Sequence, residues 1–464
     1  MHPLERRVLL SEDLKPINSL AEYKARGGLK GLEKARGLSR EAVIAEVKKS
    51  GLRGRGGAGF PTAIKWETVK SDPSPKKYVV CNFAEGEPGT YKDRYFLLKN
   101  PYIVLEGMLI AAHAINAQQA IIGTKAKFKK IGLVPRLTQA IKEYEEAGVC
   151  PKDYLRLVLG PDEYLFGEEK ALLEVIDGRG AMPRFYPPYL VGVGFTTWES
   201  NPTVVNNAES LSQVALILAR GADWFRTNGT QDTPGTGIIT LTGDVKRPGM
   251  YEISMGLTVR ELLYELGGGP AGDKPFRAVF SGVANRVMTA DQFDLKMDFG
   301  SLRGAGVGFG SAGFIVYDES RCMVEAAWMF SHFLAFSSCG QCVPCNNGTR
   351  FITERLHHLQ WGGGSSKDID DIADIAGRCT NQTRCFLPQQ ESVLVTSIIK
   401  KFPKEFEHHA GHPDHPCLYT NRLFIPKVEY FDDATGQFTF EADPVEFRNF
   451  KSPSAQLPPP VYIP

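Results

Sequence analysis

The sequence lacks a marked excess of charge of either sign. Its 54 Lys and Arg residues nearly balance its 53 Asp and Glu residues, which leaves a formal net charge of +1. A surface without a strong overall field does not attract nucleic acid or anionic lipid through bulk charge. We therefore expect no nucleic-acid partner, and any partner must be recognised through local features.

Long hydrophobic runs and abundant cysteines are also missing. A membrane-spanning helix needs roughly 20 consecutive apolar residues, but even the apolar stretch 326–336 is interrupted by Ser331 and His332. We expect no direct insertion into a membrane. Nine cysteines in 464 residues, with no charged-then-apolar leader before them, argue against a disulfide framework. A reducing, cytoplasmic location is expected.

Three of the few cysteines stand in one short run. Cys339, Cys342 and Cys345 are spaced three residues apart, and Cys379 or Cys385 could supply a fourth thiol. Four thiolates are the ligands of a [4Fe-4S] cluster. Structural zinc also uses four thiolates but usually takes them as two separated pairs, so zinc is the weaker alternative. The run therefore favours a single iron-sulfur cluster and electron transfer.

The order of sequence patterns predicts three folded regions. Between 78 and about 220, short apolar runs typical of strands alternate with helical patterns, which indicates an α/β sheet. A Gly, Thr and Pro linker at 228–237 precedes a strand, turn, strand and helix pattern typical of a β-grasp. From Met323 the chain is helical, and a small bundle should hold the cluster. The predicted domains are an α/β domain at 1–236, a β-grasp domain at 237–322, a helical bundle at 323–402 and an extended tail at 403–464.

A glycine-rich segment occupies residues 51–60. The glycines that matter are Gly54, Gly56, Gly57 and Gly59. Without side-chain bulk, backbone amides can approach a phosphate group. The usual dinucleotide fingerprint needs a strand directly before its glycines, whereas the pattern here is helical. The segment predicts a phosphate-binding loop outside an ordinary Rossmann motif, with a flexible connector as the alternative.

Two acidic segments are candidate binding loops. One follows the first predicted strand and combines Asn82 with Glu85 and Glu87. Loops at the carboxyl ends of strands are where α/β sheets place ligands. The other contains Glu168 and Glu169 at a predicted helix start. Carboxylates accept hydrogen bonds from ribose or flavin-chain hydroxyls, although a solvated turn and a helix end that compensates the dipole are the plainer alternatives.

These motifs together resemble one family over residues 35 to about 400. They are Arg-Gly-Arg-Gly-Gly-Ala-Gly-Phe ending at Phe60, Glu-Gly-Glu-Pro-Gly at 85–89, Lys-Asp-Arg at 92–94, Gly-Glu-Glu at 167–169, Asn-Pro-Thr-Val-Val-Asn-Asn at 201–207, Lys-Arg-Pro-Gly at 246–249 and the cysteine run. In this order they resemble the NADH-oxidising flavoprotein subunit of respiratory complex I and its soluble diaphorase relatives. The resemblance implies a Rossmann-like FMN/NADH domain, a ubiquitin-like β-grasp (SLBB) domain and a helical bundle with the cluster.

The resemblance also implies which residues bind the cofactors. NADH would lie over FMN, with Phe60 and Tyr189 near the adenine, and with Glu85 and Glu169 near the reacting rings. No residue is expected to act as a general acid or base, because the cofactors carry the chemistry. The implied FMN- and NADH-binding residues are Gly54, Arg55, Gly56, Gly57, Gly59, Phe60, Lys65, Asn82, Glu85, Glu87, Tyr164, Gly167, Glu168, Glu169, Tyr189, Asn206 and Asn207. The implied cluster ligands are Cys339, Cys342, Cys345 and Cys385, the last because Leu387 follows it at the family's spacing.

The function implied by the resemblance is that of an NADH dehydrogenase subunit of a complex I type NADH:quinone oxidoreductase. Hydride would pass from NADH to FMN, and single electrons would pass to the cluster and then to a thioredoxin-like [2Fe-2S] subunit and a larger iron-sulfur subunit. Through these partners the chain would be peripheral to the cytoplasmic face of a membrane. The alternatives are a subunit of a soluble hydrogenase, formate dehydrogenase or electron-bifurcating reductase, and a non-catalytic docking protein with a structural cluster.

Three residues depart from the family pattern. Ala84 replaces a usual Asp, Lys170 replaces a usual Thr, and Thr68 stands where a second aromatic residue is common. We expect these changes to retune the nucleotide site, through weaker NADH binding, tolerance of NADPH or use of a different electron acceptor.

Overall fold

The computed structural model describes residues 1–361, 363–411, 423, 425–441 and 461–463. Its first region contains a sheet with β1 (Tyr78–Phe83), β2 (Gln119–Lys125), β3 (Leu155–Gly160) and β4 (Thr203–Asn207). These strands are parallel in the order β3-β2-β1-β4, and the strand Val461–Ile463 adds antiparallel to the β3 edge. The predicted α/β sheet is confirmed, and its strands β1 and β4 end side by side.

Ten helices surround this sheet in the described chain. Helix α6 is buried along almost its whole length, which explains its apolar sequence. Helix α3 is capped by the Ser39 side chain and ends at Gly51, whose φ of +71° suits glycine. The helices are α1 (Leu20–Ala25), α2 (Lys30–Arg36), α3 (Arg40–Ser50), α4 (Thr62–Ser71), α5 (Lys92–Lys99), α6 (Pro101–Ile115), α7 (Leu133–Glu146), α8 (Glu169–Ile176), α9 (Ala208–Arg220) and α10 (Ala222–Phe225), with 3₁₀ turns at Ala126–Lys129 and Tyr164–Gly167.

The second region is a β-grasp with its own apolar core. Its strands are β5 (Thr236–Gly243), β6 (Gly249–Ser254), β7 (Phe276–Ser281) and β8 (Gly313–Asp318). The first and last strands pair in parallel at the centre of the order β6-β5-β8-β7, and the outer pairs are antiparallel. A π-helical turn at Glu261–Leu266, a 3₁₀ turn at Ala290–Gln292 and α11 (Phe299–Gly304) complete the region. The predicted β-grasp is confirmed.

The third region is helical, as predicted. It contains α12 (Met323–Ser337), α13 (Val343–Gln360), α14 (Ser366–Arg378), α15 (Leu387–Lys401) and α16 (Pro403–Gly411). The expectation of an extended chain from residue 403 is wrong for α16, which buries Phe406 and His409 against the bundle. None of the described helices has the length and apolar character needed to cross a bilayer.

The described part of the chain after α16 lies largely on the first region. The hairpin of β9 (Val428–Asp432) and β10 (Gln437–Phe440) packs Val428 and Phe431 into the core beneath the sheet. The strand Val461–Ile463, here β11, joins the sheet itself. Cys417 lies outside the described residues.

Candidate functional site

The glycine loop runs between α3 and α4, so no strand precedes it. The backbone N–H of Gly54 donates to the Phe60 carbonyl at 2.9 Å and closes the loop. Gly57 has a φ of +128°, and a Cβ added to Gly56 would lie 3.1 Å from the Cβ of Asn207. The loop therefore lies directly against the start of α9, and glycine is needed there for close approach.

A cavity of about 570 Å³ opens beside this loop, where the three regions meet. Its volume is typical of small-molecule sites. The first region contributes 56–58, Asn82, 84–87, Thr90, Lys92, Asp93, Tyr164, Leu165, Gly167, Glu168 and Asn207. The β-grasp contributes 284–285, Phe299, Arg303 and 307–311, and the bundle contributes 385–387 and Gln390. We call this space the flavin cavity below, after the FMN that the resemblance implies for the glycine loop.

Buried, paired charges form one wall of the flavin cavity. Lys92 Nζ lies 2.7 Å from Asp93 Oδ1 and 2.8 Å from Glu209 Oε2, and all three side chains are at most 5% exposed. Asn207 Nδ2 donates to Asp93 Oδ2 at 2.6 Å. Burial raises the pKa of the Asp93 carboxyl, and Lys92 opposes that rise. Lys92 and Asp93 belong to a quoted motif but were absent from the predicted binding residues.

The two glutamates of the acidic loop lie in different environments. Glu85 Oε2 pairs with Arg94 Nε at 2.7 Å. Glu87 forms no ion pair with any described residue and instead accepts hydrogen bonds from the Tyr164 hydroxyl at 2.6 Å and the Val283 N–H at 2.7 Å. Burial raises the pKa of the Glu87 carboxyl. Both side chains line the flavin cavity.

A second acidic pair begins α8. The Glu168 side chain caps that helix by accepting from the N–H groups of Lys170 and Ala171, both at 2.9 Å, and burial raises its pKa to about 7. Glu169 Oε2 lies 2.9 Å from Lys65 Nζ. Of these carboxylates only Glu168 lines the flavin cavity, while Glu169 and Lys65 lie outside its lining. Both side chains of that ion pair are about one third exposed.

Several predicted binding residues do not reach the flavin cavity. The Arg55 side chain is turned away from it, is 2% exposed, and donates to the Pro234 carbonyl at 2.7 Å. Asn206 accepts from Trp66 Nε1 at 2.8 Å beneath the sheet edge. Phe60 and Tyr189 are 47% and 46% exposed. The residues brought together in the lining are Gly56, Gly57, Asn82, Glu85, Glu87, Tyr164, Gly167, Glu168 and Asn207, and those outside it are Gly54, Arg55, Gly59, Phe60, Lys65, Glu169, Tyr189 and Asn206.

The cysteines converge between α12, α13 and α15. Cys339 and Cys342 lie in the turn before α13, Cys345 lies in its first turn, and Cys385 precedes α15. Burial raises the pKa of the Cys345 and Cys385 thiols to about 12. Burial therefore favours the protonated form of these two thiols when no metal is bound.

Both Cys385 and Cys379 lie close to this group, so the choice of Cys385 as the fourth ligand stays a prediction from the family spacing. The charges that act on the Cys385 thiol include Cys339 and Cys345, and those that act on the Cys345 thiol include Cys379. Among the described residues, no three His, Cys, Asp or Glu side chains surround a single metal ion.

The cysteine group adjoins the flavin cavity. Cys385 lines that cavity, and Cys339 lines a second cavity of about 600 Å³. The two cavities share Glu85, Glu87 and Tyr164. The Tyr164 ring packs edge-on against Phe333 of α12, with 5.1 Å between ring centroids. A ligand in the flavin cavity would therefore be separated from the cysteines by very little protein.

The three residues that depart from the family pattern, Ala84, Lys170 and Thr68, lie in different surroundings. Lys170 Nζ lies 3.3 Å from the Thr383 carbonyl, so its charge is directed to the loop before Cys385. The Thr68 hydroxyl donates to the Ile64 carbonyl within α4. Ala84 is buried and lines the flavin cavity. Of the three, only Ala84 alters the cavity wall itself.

The fold, the flavin cavity and the cysteine group define an iron-sulfur flavoprotein of the NADH-oxidising class. Three family models match in the order found here: the Nuo51 FMN-binding domain over residues 47–216, the SLBB domain over 238–280 and the NADH-ubiquinone oxidoreductase-F iron-sulfur binding region over 325–409. The third match includes most of α16, beyond the predicted bundle end at 402.

Similarity to known proteins shows which family within this class the chain belongs to. An NADH-quinone oxidoreductase F-type subunit of Rhizobium meliloti (strain 1021) is 36% identical over 412 residues, covering 87% of this chain and 97% of that protein. The HndC subunit of an NADP-reducing hydrogenase in Solidesulfovibrio fructosivorans is 34% identical, covering 86% and 83%. The crystal structure of an air-oxidised NAD⁺-reducing [NiFe]-hydrogenase superposes with a TM-score of 0.75 at 32% identity, covering 85% and 67%. The chain belongs to the family of NADH-quinone oxidoreductase F-type subunits. The predicted family, fold and cofactors, FMN and a [4Fe-4S] cluster with NADH as substrate, are confirmed.

Proposed function

We propose that this chain oxidises NADH at a bound FMN and delivers the electrons singly to a [4Fe-4S] cluster, as the flavoprotein subunit of a complex I type NADH:quinone oxidoreductase. The observation that carries the proposal is the shared lining of the flavin cavity. The glycine loop forms one side of that lining, and Cys385 forms part of another.

The residues present fit FMN. Gly56 and Gly57 leave backbone exposed at the start of α9, where N–H groups and the helix dipole favour a phosphate. Asn82 and Glu85 offer polar atoms to the flavin chain and ring from the end of β1. When bound, FMN supplies the conversion between two-electron and one-electron chemistry. The paired charges of Lys92, Asp93 and Glu209 hold the cavity wall in place.

The four cysteines fit the cluster by number and by position. Cys339, Cys342, Cys345 and Cys385 would bind it between the start of α13 and the start of α15. Lys65 and Glu169, which lie outside the lining of the flavin cavity, form an ion pair and in this proposal bind the polar part of NADH by exchanging partners.

Electrons must leave the cluster through another protein. A thioredoxin-like [2Fe-2S] subunit and a larger iron-sulfur subunit are the proposed partners, with the chain held at the cytoplasmic face of a membrane through them. Val343 and Phe386, directly beside ligand cysteines, are 67% and 58% exposed. Apolar side chains exposed at such a site favour contact with a partner protein.

A second candidate is a subunit of a soluble hydrogenase. It is favoured by the similarity to the HndC subunit and to the NAD⁺-reducing hydrogenase, at 34% and 32% identity against 36% for the quinone oxidoreductase subunit. Purification of the native complex separates the two, because membrane-embedded quinone reductase subunits accompany the chain in one case and a subunit with hydrogenase activity in the other.

The test of the core proposal uses the purified, reconstituted chain. We expect bound FMN, released by acid and measured by fluorescence, together with about four irons per chain and NADH oxidation with ferricyanide as acceptor. Colourless protein that takes up neither FMN nor iron would contradict the proposal and favour a docking role.

A further inference from the structure

Three hydrogen-bonded side chains connect the helix after Cys385 to the acidic wall of the flavin cavity. Gln390 of α15 donates from Nε2 to the Tyr164 hydroxyl at 3.0 Å, and that hydroxyl donates to Glu87 Oε2 at 2.6 Å. Glu87 Oε1 accepts from the N–H of Val283 at 2.7 Å. One carboxylate therefore joins the bundle, the first region and the β-grasp.

The direction of these hydrogen bonds follows from the donors available. A tyrosine hydroxyl has one hydrogen, and the carboxylate of Glu87 can only accept. The hydroxyl hydrogen must point at Glu87, so the Gln390 amide must present its NH₂ group to the hydroxyl oxygen. A hydroxyl that accepts a hydrogen bond becomes a stronger donor, and Gln390 thus strengthens the bond from Tyr164 to Glu87.

Glu87 depends on these donors because no described cation pairs with it. Its neighbour Glu85 has Arg94, whereas the charge of Glu87 is stabilised only by Tyr164 and Val283. Losing a hydrogen bond to a buried charged group is costly. The other ionisable or charged side chains that line the flavin cavity are Glu85, Lys92, Asp93, Glu168, Arg303 and Cys385. The side chains that line the second cavity include the cations Arg94 and Lys125.

We infer that Gln390 is a positioning residue for NADH oxidation, which through Tyr164 holds Glu87 as an oriented carboxylate on the flavin cavity wall. The inference rests on the proposed function and adds a residue that neither the motifs nor the matched family descriptions single out. It makes α15, which begins two residues after Cys385, a structural link between the cluster and the flavin.

The test compares Q390L with Q389L in the FMN-loaded, cluster-loaded chain. Gln389 is adjacent on the same helix, lines neither cavity, and its Oε1 has no hydrogen-bond partner among the described residues, so Q389L is a matched control. We expect Q390L to lower kcat/KM for NADH roughly tenfold, which is the effect of one hydrogen bond in a charged network. Q389L should stay within about twofold.

A second readout does not depend on turnover. Without its donor chain the Glu87 carboxylate is harder to ionise, so the pH-dependent change in the absorbance of bound FMN should move to higher pH in Q390L. Q390E retains the size of the side chain and, when protonated, can donate to Tyr164. Its kcat/KM should approach the native value at low pH and fall as pH rises.

The outcomes separate this inference from the proposed function. Wild-type chain that oxidises NADH, together with a Q390L variant whose kcat/KM and flavin pH titration match those of Q389L, would overturn the role of Gln390 alone. Wild-type chain that binds FMN but is not reduced by NADH would overturn both. If Q390L fails to retain FMN, the pH dependence of Q390E decides, and a flat profile contradicts the inference.

Discussion

Buried ionisable side chains have different partners beside the flavin cavity and in the helical bundle. Beside the flavin cavity, Lys92 forms ion pairs with both Asp93 and Glu209. In the bundle, the fully buried Glu391 accepts one hydrogen bond from Ser331 at 2.5 Å, and its second oxygen has no partner among the described residues. Burial raises the Glu391 pKa to about 8. This part of the cavity wall is held by ion pairs, whereas Glu391 in the bundle is a buried carboxyl without a paired cation in the described chain, and burial favours its protonated form.

The largest effect should come from the ligand cysteines. We expect C385S to lose the intact cluster, measured as iron content and as the electron paramagnetic resonance signal of the reduced protein, while C379S retains it. Both variants should keep FMN, because the charge-paired wall is untouched. A C379S variant without a cluster beside an intact C385S would reverse the assignment of the fourth ligand.

Removing the central cation of the flavin cavity should strongly destabilise the fold. K92M leaves two buried carboxylates without their paired cation, and breaking such a pair costs about 3–5 kcal/mol. Urea unfolding measures the change. The control is K142M, which removes an ion pair with Glu146 whose side chains are 64% and 65% exposed and should cost less than about 1 kcal/mol. Equal, small losses would contradict the description of this wall as held by ion pairs.

The carboxyl in the bundle should make stability depend on pH. The pKa of Glu391 is about 8 in the fold against an ordinary value of 4.5, so the folded state holds a proton that the unfolded state releases between these values. Its contribution is complete below pH 4.5 and is lost as pH rises to 8.

E391Q has no such ionisation. Relative to E391Q, the wild type should lose more than about 1 kcal/mol between about pH 5.5 and about pH 8.5, measured by thermal unfolding of the loaded protein. Parallel pH curves for the two proteins would show that Glu391 is already paired or solvated.

We expect the smallest effect from substitution of Lys170, whose side chain connects α8 of the first region to the helical bundle. Its ammonium lies near the loop before Cys385, where a cation favours the reduced, more negative cluster. K170M should therefore shift the cluster's reduction potential downward by less than about 59 mV, which is a tenfold change for one electron. K170R should restore it. A shift upward in K170M would contradict the placement of this charge.

Local motifs were predictable from the sequence, and the assembled cavity was only partly so. The cysteine run and the glycine loop each lie within one turn or loop, so their spacing alone indicated their chemistry. Gln390 and the loop 307–311 reach the cavity from other regions of the chain, and no local pattern indicates which side chains will meet. Arg55 is the opposite case, a residue that belongs to a motif and does not reach the cavity. Its side chain is buried in the core and donates to the Pro234 carbonyl.

Helix α16 could not be predicted for a related reason. Only Phe406 and His409 are buried in its nine residues, which is too few to show a helical period. The choice between Cys379 and Cys385 depended on the family spacing, because both thiols lie near the cysteine run.

The most direct test of the account is anaerobic mixing of the loaded chain with NADH, followed by rapid freezing. Tyr164 and Cys385 both line the flavin cavity, so in the wild type we expect bleaching of the flavin absorbance to be followed by the signal of a reduced [4Fe-4S] cluster. In C385S we expect the flavin absorbance to bleach and no cluster signal to follow. Bleaching without any cluster signal in the wild type, at a driving force sufficient to reduce the cluster, would contradict the claim that the two sites adjoin.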